Sequence, residues 1–406
     1  MRLAFVDNLP VGGGLSRFSY LLCKNLLQVA PTLQIDYFVH RINLLRTPEI
    51  NSLTGKNVQV KVLESSLLPA TISERIIKKI KSFNKAQSGL MDQDLELEKR
   101  IKGYDLAYFP SAHMMRKPNL SVPVTGTIHD FNWKYFFGQQ IFSTSFVEEM
   151  DTAVIEWMNS GLTACSSYDV VTEAKKLYPG LSKYPEVVHL APVVFSSNLK
   201  EEEAQKVLAD LDIDYPYIIF PGNFYPHKNH LNLFAAFYLL KQRKQYENLK
   251  LILTGMHTDQ IKFGIAERAG VQLLTKNSPN KHFDIRGLGY QSNHVIEALI
   301  KKASLLVSPS IYEAICTPGM DAWHFGTPTA ISDIPPFREH EQVWGVRSAY
   351  FDPMNPKNIA DTIDEYLSNN AKAQEDGKIS QENISKYTWD ITAKGYLKIF
   401  EKAANH

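Results

Sequence analysis

The chain has 406 residues, of which 44% are hydrophobic, and a formal net charge of +1 at pH 7. This length exceeds one ordinary domain, and the hydrophobic content is sufficient for two cores of about 200 residues each. A net charge near zero gives no overall field that would attract nucleic acid, so we expect no nucleic-acid partner.

The N-terminus predicts a protein without a signal peptide, because the apolar strand at residues 3–6 follows no charged region and precedes no long apolar core. No segment approaches the roughly 18 apolar residues that a membrane-spanning helix needs. Cys23, Cys165 and Cys316 lack CxxC spacing, which fits a reducing compartment and argues against a zinc site. We therefore expect a cytoplasmic protein that does not cross a membrane.

Short apolar runs alternate with longer helical patterns, as in doubly wound parallel sheets of the α/β class. We place the boundary between two domains in the acidic, helix-prone segment 196–215 and assign residues 1–200 to the first and 201–385 to the second. Strands are predicted at 2–7, 34–39, 58–63, 105–109, 123–128 and 162–165, then at 217–221, 249–254, 282–286, 304–307 and 328–331. Asp210, Asp212 and Asp214 imitate a metal-binding DxD motif, but they lie in the predicted linker, so we expect no metal site there.

Three consecutive glycines, Gly12, Gly13 and Gly14, follow the first predicted strand. They predict either a tight turn or a loop that lets the backbone approach a phosphate or an acceptor. Arg17 stands where the last glycine of a GxGxxG dinucleotide motif would fall. The loop therefore disfavours a nicotinamide-dependent enzyme.

Residues 72–83 break the alternation, because Ile72, Ile76, Ile80 and Phe83 fall on one helical face with basic residues around it. Such a pattern is typical of an amphipathic helix that covers a domain. It is also typical of a helix that lies on an anionic membrane surface. Both interpretations stay open, and the second would allow a peripheral contact with the inner face of a membrane.

The most informative segment is 307–340, which places Glu313 and Asp321 across a loop and the start of a helix. The preceding apolar run reads as a buried parallel strand, so the loop lies at the edge where open α/β sheets bind ligands. With Thr317 as N-cap and Pro318 as first helical residue, the next backbone N–H groups could face a bound anion, at Gly319, Met320 and Asp321. Two acids beside an anion site suggest a sugar attached to a phosphate.

Several segments together resemble the retaining GT-B glycosyltransferases of the glycosyl transferases group 1 type, over nearly the whole chain. The motif from Glu313 to Asp321, followed by Gly326-Thr327-Pro328 and Ser332-Asp333, resembles the nucleotide-binding half of that family. The segment YIIFPGNFYPHKNHLNLFAAF places Lys228 at the position of the phosphate-binding lysine. GTIHDFN carries the family's His-Asp pair as His129 and Asp130, and the opening glycine-rich loop and the closing YTWDITAKGYLKIFEKA also match. Ordered matches of this kind are a specific signal, although each alone is weak.

The resemblance implies two Rossmann-like domains that face each other across a cleft, with residues 386–406 as a helix that returns to the first domain. It implies that Lys228 binds the diphosphate, Glu313 binds donor hydroxyls and His129 binds a sugar hydroxyl or the backbone near the reacting centre. Further donor contacts are implied at Asn223, His227, Gly287, Thr317, Pro318, Gly319, Met320 and, for the ribose, Asp321; acceptor contacts are implied at Gly12, Gly13, Gly14 and Asp130. In this family the leaving phosphate is thought to take the acceptor's proton, so neither a protein base, a metal nor a cofactor is implied.

We therefore expect a retaining hexosyltransferase that moves a sugar such as mannose from a nucleotide diphosphate to a saccharide or lipid-linked acceptor, in the synthesis of a cell-surface polysaccharide such as O-antigen. Three positions depart from the family pattern. Asp321 stands where the family usually has Glu, Asn223 stands where many relatives have Arg, and Cys316 stands where the family usually has Gly. These departures leave a second interpretation open, a non-catalytic GT-B protein that binds a nucleotide sugar or acts as a scaffold.

Overall fold

The computed structural model describes residues 1–9, 14–63, 96–136, 144–194, 199–263 and 284–405. The chain divides into two compact units, of which the first comprises residues 1–190 and 389–406 and the second residues 191–388. The basic segment 72–83 and the glycines Gly12 and Gly13 lie outside the described residues. No helix among the described residues is long and apolar enough to cross a membrane.

Each unit contains one parallel sheet. The first sheet has the order β3-β2-β1-β4-β5-β6-β7 and the second the order β10-β9-β8-β11-β12-β13. The strands are β1 Arg2–Asp7, β2 Gln34–His40, β3 Val58–Leu63, β4 Leu106–Phe109, β5 Val124–Thr127, β6 Thr163–Cys165, β7 Glu186–Val187, β8 Tyr217–Pro221, β9 Lys250–Thr254, β10 Ile285–Gly287, β11 Leu305–Ser308, β12 Thr329–Ser332 and β13 Ala349–Phe351.

Helices and short 3-10 turns connect the strands. The helices are α1 Gly14–Val29, α2 Arg41–Arg46, α3 Asn132–Tyr135, α4 Thr144–Ser160, α5 Tyr168–Leu177, α6 Glu201–Asp210, α7 His230–Lys241, α8 Asn293–Lys302, α9 Thr317–Phe325, α10 Pro335–Trp344, α11 Pro356–Ser368, α12 Asn370–Ile384 and α13 Trp389–Ala404. The 3-10 turns are Pro48–Ser52, Ala112–Met114, Pro226–Lys228, Lys244–Tyr246 and Thr258–Phe263. Helix α5 begins after Ser167, whose hydroxyl accepts the N–H of Val170 at 3.3 Å, as expected of a serine N-cap.

The predicted doubly wound α/β fold is confirmed, and every predicted strand overlaps an observed one. The strands β8, β9, β11 and β12 carry buried apolar side chains such as Ile218, Leu251 and Leu306, which explains why apolar runs located them. The strands β7 and β13 were not predicted, because they are only two and three residues long and most of their residues are only partly buried.

The division between the units falls between Leu190 and Ala191, earlier than the predicted boundary at residue 200. Two contacts tie the intervening segment to the second unit. The N–H of Val193 donates to a carboxylate oxygen of Asp321 at 3.0 Å, and the ammonium group of Lys301 donates to the carbonyl of Leu199. Composition alone could not reveal these contacts, because they join residues far apart in the chain.

Helix α13 packs within the first unit, where Tyr396 and Phe400 are fully buried. The Phe400 ring lies 4.8 Å from that of Tyr108 in β4, and the Tyr396 hydroxyl lies 3.1 Å from that of Thr127 in β5. The end of the chain is therefore part of the core around the first sheet.

Candidate functional site

The strand order locates the ligand-binding edge of the second sheet. Its two central strands, β8 and β11, are neighbours. The chain adds β9 and β10 on the outer side of β8, and β12 and β13 on the outer side of β11, so the two halves of the sheet extend toward opposite edges. Open α/β sheets bind ligands at the carboxyl ends of such a pair. The loop after β8 carries Lys228 and the loop after β11 carries Glu313. The sheet thus brings together two predicted site residues that are 85 positions apart.

Lys228 and Glu313 form an ion pair, in which the lysine ammonium group donates a hydrogen bond to the carboxylate. Their side chains are only 19% and 16% exposed. Partial burial strengthens the interaction of such charges with a ligand, because water screens them less than at an open surface. The pair therefore presents one positive and one negative group at the edge where a ligand is expected.

The loop that carries Lys228 is fastened to the loop that carries Glu313. The N–H of Ile311 donates to the carbonyl of His227 at 2.8 Å. The Asn229 side chain donates to the carbonyls of Pro309 at 2.9 Å and Pro353 at 2.7 Å. Asn229 has φ 58°, a left-handed conformation that asparagine tolerates better than most residues. Lys228 thus lies on a constrained turn, and His227 contributes its backbone to that constraint.

The start of helix α9 differs by one residue from the prediction. Its N-cap is Cys316, Thr317 is the first helical residue, and the N–H of Met320 donates to the carbonyl of Cys316 at 2.9 Å. The prediction of a free N–H at Met320 is therefore wrong, since a cap at Cys316 closes the first helical bond there. The helical pattern leaves the N–H groups of Thr317 and Gly319 without a carbonyl partner inside the helix, on either side of Pro318.

Asp321 is buried, with 1% of its surface exposed. One oxygen of its carboxylate accepts the N–H of Val193 at 3.0 Å. The side chain therefore fastens the segment that enters the second unit to helix α9, a role that the sequence did not indicate. The contact of Asp321 with a ribose stays a prediction.

The loops after β8, β9 and β10 approach each other closely at the same edge. The side-chain carbonyl of Asn223 accepts the N–H of Met256 at 2.8 Å, which joins the first two loops. A Cβ at Gly287 would lie 1.7 Å from the carbonyl oxygen of Thr258, so only glycine fits there. Asn223 and Gly287 thus shape the backbone of the edge, and their contacts with a donor stay predictions.

His340 on helix α10 was missed by sequence reasoning. Its Nε2 accepts the N–H of Cys316 at 3.0 Å, across 24 residues of sequence. Burial, with a smaller contribution from the nearby Glu313 charge, raises the pKa of the Cys316 thiol to about 12. Cys316 is therefore a neutral residue at physiological pH. A histidine inside the polar helix PPFREHEQVW gave no local signal for this contact.

In the first unit, His129 follows β5 and contacts the loop after β4. Its Nε2 lies 2.8 Å from the carbonyl oxygen of Pro110. A carbonyl can only accept, so this nitrogen carries the proton and Nδ1 of the neutral ring is an acceptor. Asp130 accepts the N–H of Asn132 at 3.1 Å and so begins the turn into helix α3. Gly14 is the first residue of helix α1.

A second histidine, His113, lies beside His129 with 5.4 Å between the ring centroids. Burial, together with the neighbouring His113, lowers the pKa of His129 to about 3, and burial lowers the pKa of His113 to about 4. Both rings are therefore neutral at physiological pH. Sequence reasoning missed His113, because SAHMMRKPN contains no motif around it.

The comparisons define the protein class. The chain aligns over 99% of its length with 98% of sucrose-phosphate synthase from Thermosynechococcus elongatus, with a TM-score of 0.72 and 15% sequence identity. Two doubly wound units of this kind constitute the GT-B fold. Residues 201–386 match the family model "Glycosyl transferases group 1", so the second unit is a domain of that family.

Two curated relatives share part of the chain. An uncharacterised glycosyltransferase of Methanocaldococcus jannaschii is 30% identical over 128 residues, which are 29% of this chain and 30% of that protein. The serotype-specific mannosyltransferase WbdA of Escherichia coli is 26% identical over 200 residues, which are 48% of this chain and 22% of WbdA. The chain thus spans less than a third of the length of the curated relatives that it matches.

Proposed function

We propose that this protein is a retaining glycosyltransferase that moves a sugar from a nucleotide diphosphate to a saccharide or lipid-linked saccharide. The observation that carries the proposal is the Lys228–Glu313 pair at the carboxyl ends of β8 and β11. A cation suits a diphosphate, and a carboxylate suits neutral sugar hydroxyls. The glycosyl transferases group 1 match of the same segment supports this assignment.

The reaction breaks the bond between the anomeric carbon and the diphosphate oxygen, which leaves negative charge on the diphosphate. Lys228 stabilises that charge, together with the N–H groups of Thr317 and Gly319 at the start of helix α9. The acceptor oxygen bonds to the anomeric carbon on the face that the diphosphate leaves, and its proton passes to the leaving phosphate oxygen. In this scheme the protein's own groups stabilise the leaving charge without a metal ion.

His129 fits the role of a sugar-hydroxyl acceptor. Its Nε2–H donates a hydrogen bond to the carbonyl of Pro110, and its low pKa keeps the ring neutral. Nδ1 can therefore accept a hydrogen bond from a hydroxyl, but the ring is not charged and supplies no proton near pH 7. This agrees with a mechanism in which the leaving phosphate takes the acceptor's proton.

Mannose is the first sugar to test and a cell-surface polysaccharide such as O-antigen the first acceptor class, because the relative WbdA is a serotype-specific mannosyltransferase. UDP-, GDP- and dTDP-sugars are screened for thermal stabilisation, since a bound ligand raises apparent stability by mass action. The donor that stabilises the protein is then assayed for transfer with and without EDTA. We expect transfer that EDTA does not abolish; full loss restored by manganese would overturn the metal-free mechanism.

Glu313→Gln separates binding from fold in the same assay. It preserves shape and removes the carboxylate, so we expect transfer to fall strongly with little change in melting temperature. Near-normal turnover of this variant would refute the donor-site assignment.

A second candidate function, a non-catalytic nucleotide-sugar-binding protein, is favoured by two observations. Asn223 replaces a cation with a neutral side chain that contacts Met256, and Asp321 is buried against Val193. A protein of that kind would show donor-dependent stabilisation but no product with any acceptor, and no donor hydrolysis. Product formation excludes it.

A further inference from the structure

We infer that His340 is a positioning residue for the donor site, acting through the backbone of Cys316. The inference rests on the proposed function, because it concerns how the diphosphate-binding end of helix α9 is held. His340 itself lies on α10 and is 2% exposed, so it has no access to a ligand. Its contact is with the residue at which the Glu313 loop becomes a helix.

The hydrogen bond fixes which ring nitrogen is protonated. Nε2 lies 3.0 Å from the Cys316 nitrogen and accepts its N–H, so Nε2 carries a lone pair. Any proton of the neutral ring is therefore on Nδ1. Only this tautomer can accept the Cys316 N–H, which belongs to the first four N–H groups of helix α9 that have no carbonyl partner inside the helix.

Aromatic side chains hold the imidazole in this orientation. The ring stacks on Trp344, with 4.6 Å between centroids and 24° between planes, and it lies nearly parallel to Phe337 at 28°. Trp323 of helix α9 meets it edge-on at 77°. The acceptor atom is thus rigid, as a support for a precise backbone geometry must be.

Loss of the acceptor would leave a buried N–H unpaired at the N-cap, because Cys316 is 1% exposed. The first turn of α9 would then shift to satisfy that group. The N–H groups of Thr317 and Gly319 lie on this turn, and Glu313 lies three positions before the cap. The expected consequence is weaker donor binding with an unchanged acceptor KM.

The test compares His340→Phe, which keeps the aromatic volume and removes the acceptor, with His340→Gln, whose side-chain oxygen replaces Nε2. The dissociation constant of the nucleoside diphosphate that binds the wild type is measured by calorimetry, with hydrogen exchange at the Cys316 amide. We expect His340→Phe to weaken binding about tenfold or more and to speed that exchange. His340→Gln should restore both to near the wild-type values.

If His340→Phe binds the nucleoside diphosphate as tightly as the wild type, or if both variants bind it equally weakly, the inference about His340 is overturned while the proposed function stands. If His340→Phe does not fold, the nitrogen chemical shifts of the wild-type imidazole decide. A protonated Nε2 would refute the inference. An unprotonated Nε2, together with near-wild-type binding of the nucleoside diphosphate by His340→Gln, supports it. If no nucleoside diphosphate binds the wild type, the proposed function fails and the inference fails with it.

Discussion

Lys228 and Lys250 form similar ion pairs at opposite ends of the strands of the second sheet. Lys228 pairs with Glu313 at the carboxyl ends of the strands, whereas Lys250 pairs with Asp284 at 2.8 Å at the amino end of β9. Their lysine side chains are 19% and 20% exposed. Because solvent screening is alike, the two pairs should stabilise the fold to a similar, small extent. Only the first lies where an open α/β sheet binds ligands.

The first prediction concerns these two lysines. Lys228→Ala should lower kcat by about two orders of magnitude or more, comparable to removal of one group that stabilises transition-state charge. Lys250→Ala is the matched control and should leave kcat within about twofold of the wild type while it changes melting temperature by a similar amount. Steady-state kinetics on both variants checks this, and equal kinetics in the two would assign the leaving-group role elsewhere.

Asp7 at the end of β1 provides a second prediction. Its carboxyl group is buried and accepts the hydroxyl of Tyr37 at 2.9 Å. Burial raises its pKa from 3.8 to about 7, against the opposing effect of the hydrogen bond from Tyr37. The folded state therefore binds the proton more tightly than the unfolded state. This stabilisation is complete below the unfolded pKa and is lost as pH rises through about 7.

The measurement is urea unfolding of the wild type and Asp7→Asn between pH 5 and 8. The free energy of unfolding of the wild type should fall relative to the variant by about 1.4 kcal/mol per pH unit up to the folded pKa. Because both proteins contain His113 and His129, subtracting the free energy of unfolding of the variant from that of the wild type cancels the contributions of these histidines. Their lowered pKa values make stability rise with pH, which is opposite to the effect of Asp7. A pH-independent difference would show that Asp7 is ionised in the fold.

At the scale of elements, helix α13 is a segment whose position in the fold is determined by the packing of its buried face. Tyr396 and Phe400 are fully buried beside β4 and β5, while Ile391 on the same helix is 52% exposed. A helix of this kind gains most of its stability from the packed face rather than from intrinsic propensity. The family resemblance of the closing segment predicted this helix, and the structure shows which side chains form its buried face beside β4 and β5.

Phe400→Ala should therefore destabilise the first unit by about 3–5 kcal/mol, through lost burial and the cavity that remains. Ile391→Ala, on the exposed face, should change the free energy of unfolding by less than about 0.5 kcal/mol. Denaturant unfolding followed by the fluorescence of the protein's tryptophans measures both. Equal, small effects would mean that helix α13 is not part of the core of the first unit.

At the scale of the whole molecule, the basic segment 72–83 remains a sequence-based prediction, because it lies outside the described residues. Its lysines and apolar positions fit a helix on an anionic membrane. A lipid-linked acceptor would make such a contact useful, since it would concentrate the enzyme where the acceptor lies. The alternative is a helix that covers the first unit with its lysines in solvent.

Vesicle sedimentation distinguishes these alternatives. If the segment docks, changing Lys78, Lys79 and Lys81 to Glu should release the protein from anionic vesicles, because each basic residue contributes about 1 kcal/mol near such a surface. Raised salt should release the unmodified protein as well. The control carries the same charge reversal at three exposed lysines of the second unit, Lys357, Lys372 and Lys386, and should still bind. Binding by neither the wild type nor the control would leave the segment as a cover of the first unit.

The sequence by itself determined the features that depend on near neighbours in the chain. Apolar runs located the strands, since a parallel strand buries both faces. The residues that follow each strand, such as Lys228 and Glu313, were assigned to loops for the same local reason. The order of recognisable segments then indicated a GT-B protein before any strand pairing was known.

Tertiary structure decided the contacts between residues distant in sequence. It paired Lys228 with Glu313 across 85 positions, Asp321 with Val193 across 128, and Cys316 with His340 across 24. It also moved the cap of α9 to Cys316, which removed the free N–H that the pattern had assigned to Met320. The physical reason is that a polar group buried by folding must find a partner wherever the chain supplies one, and only the packed chain shows which residue that is.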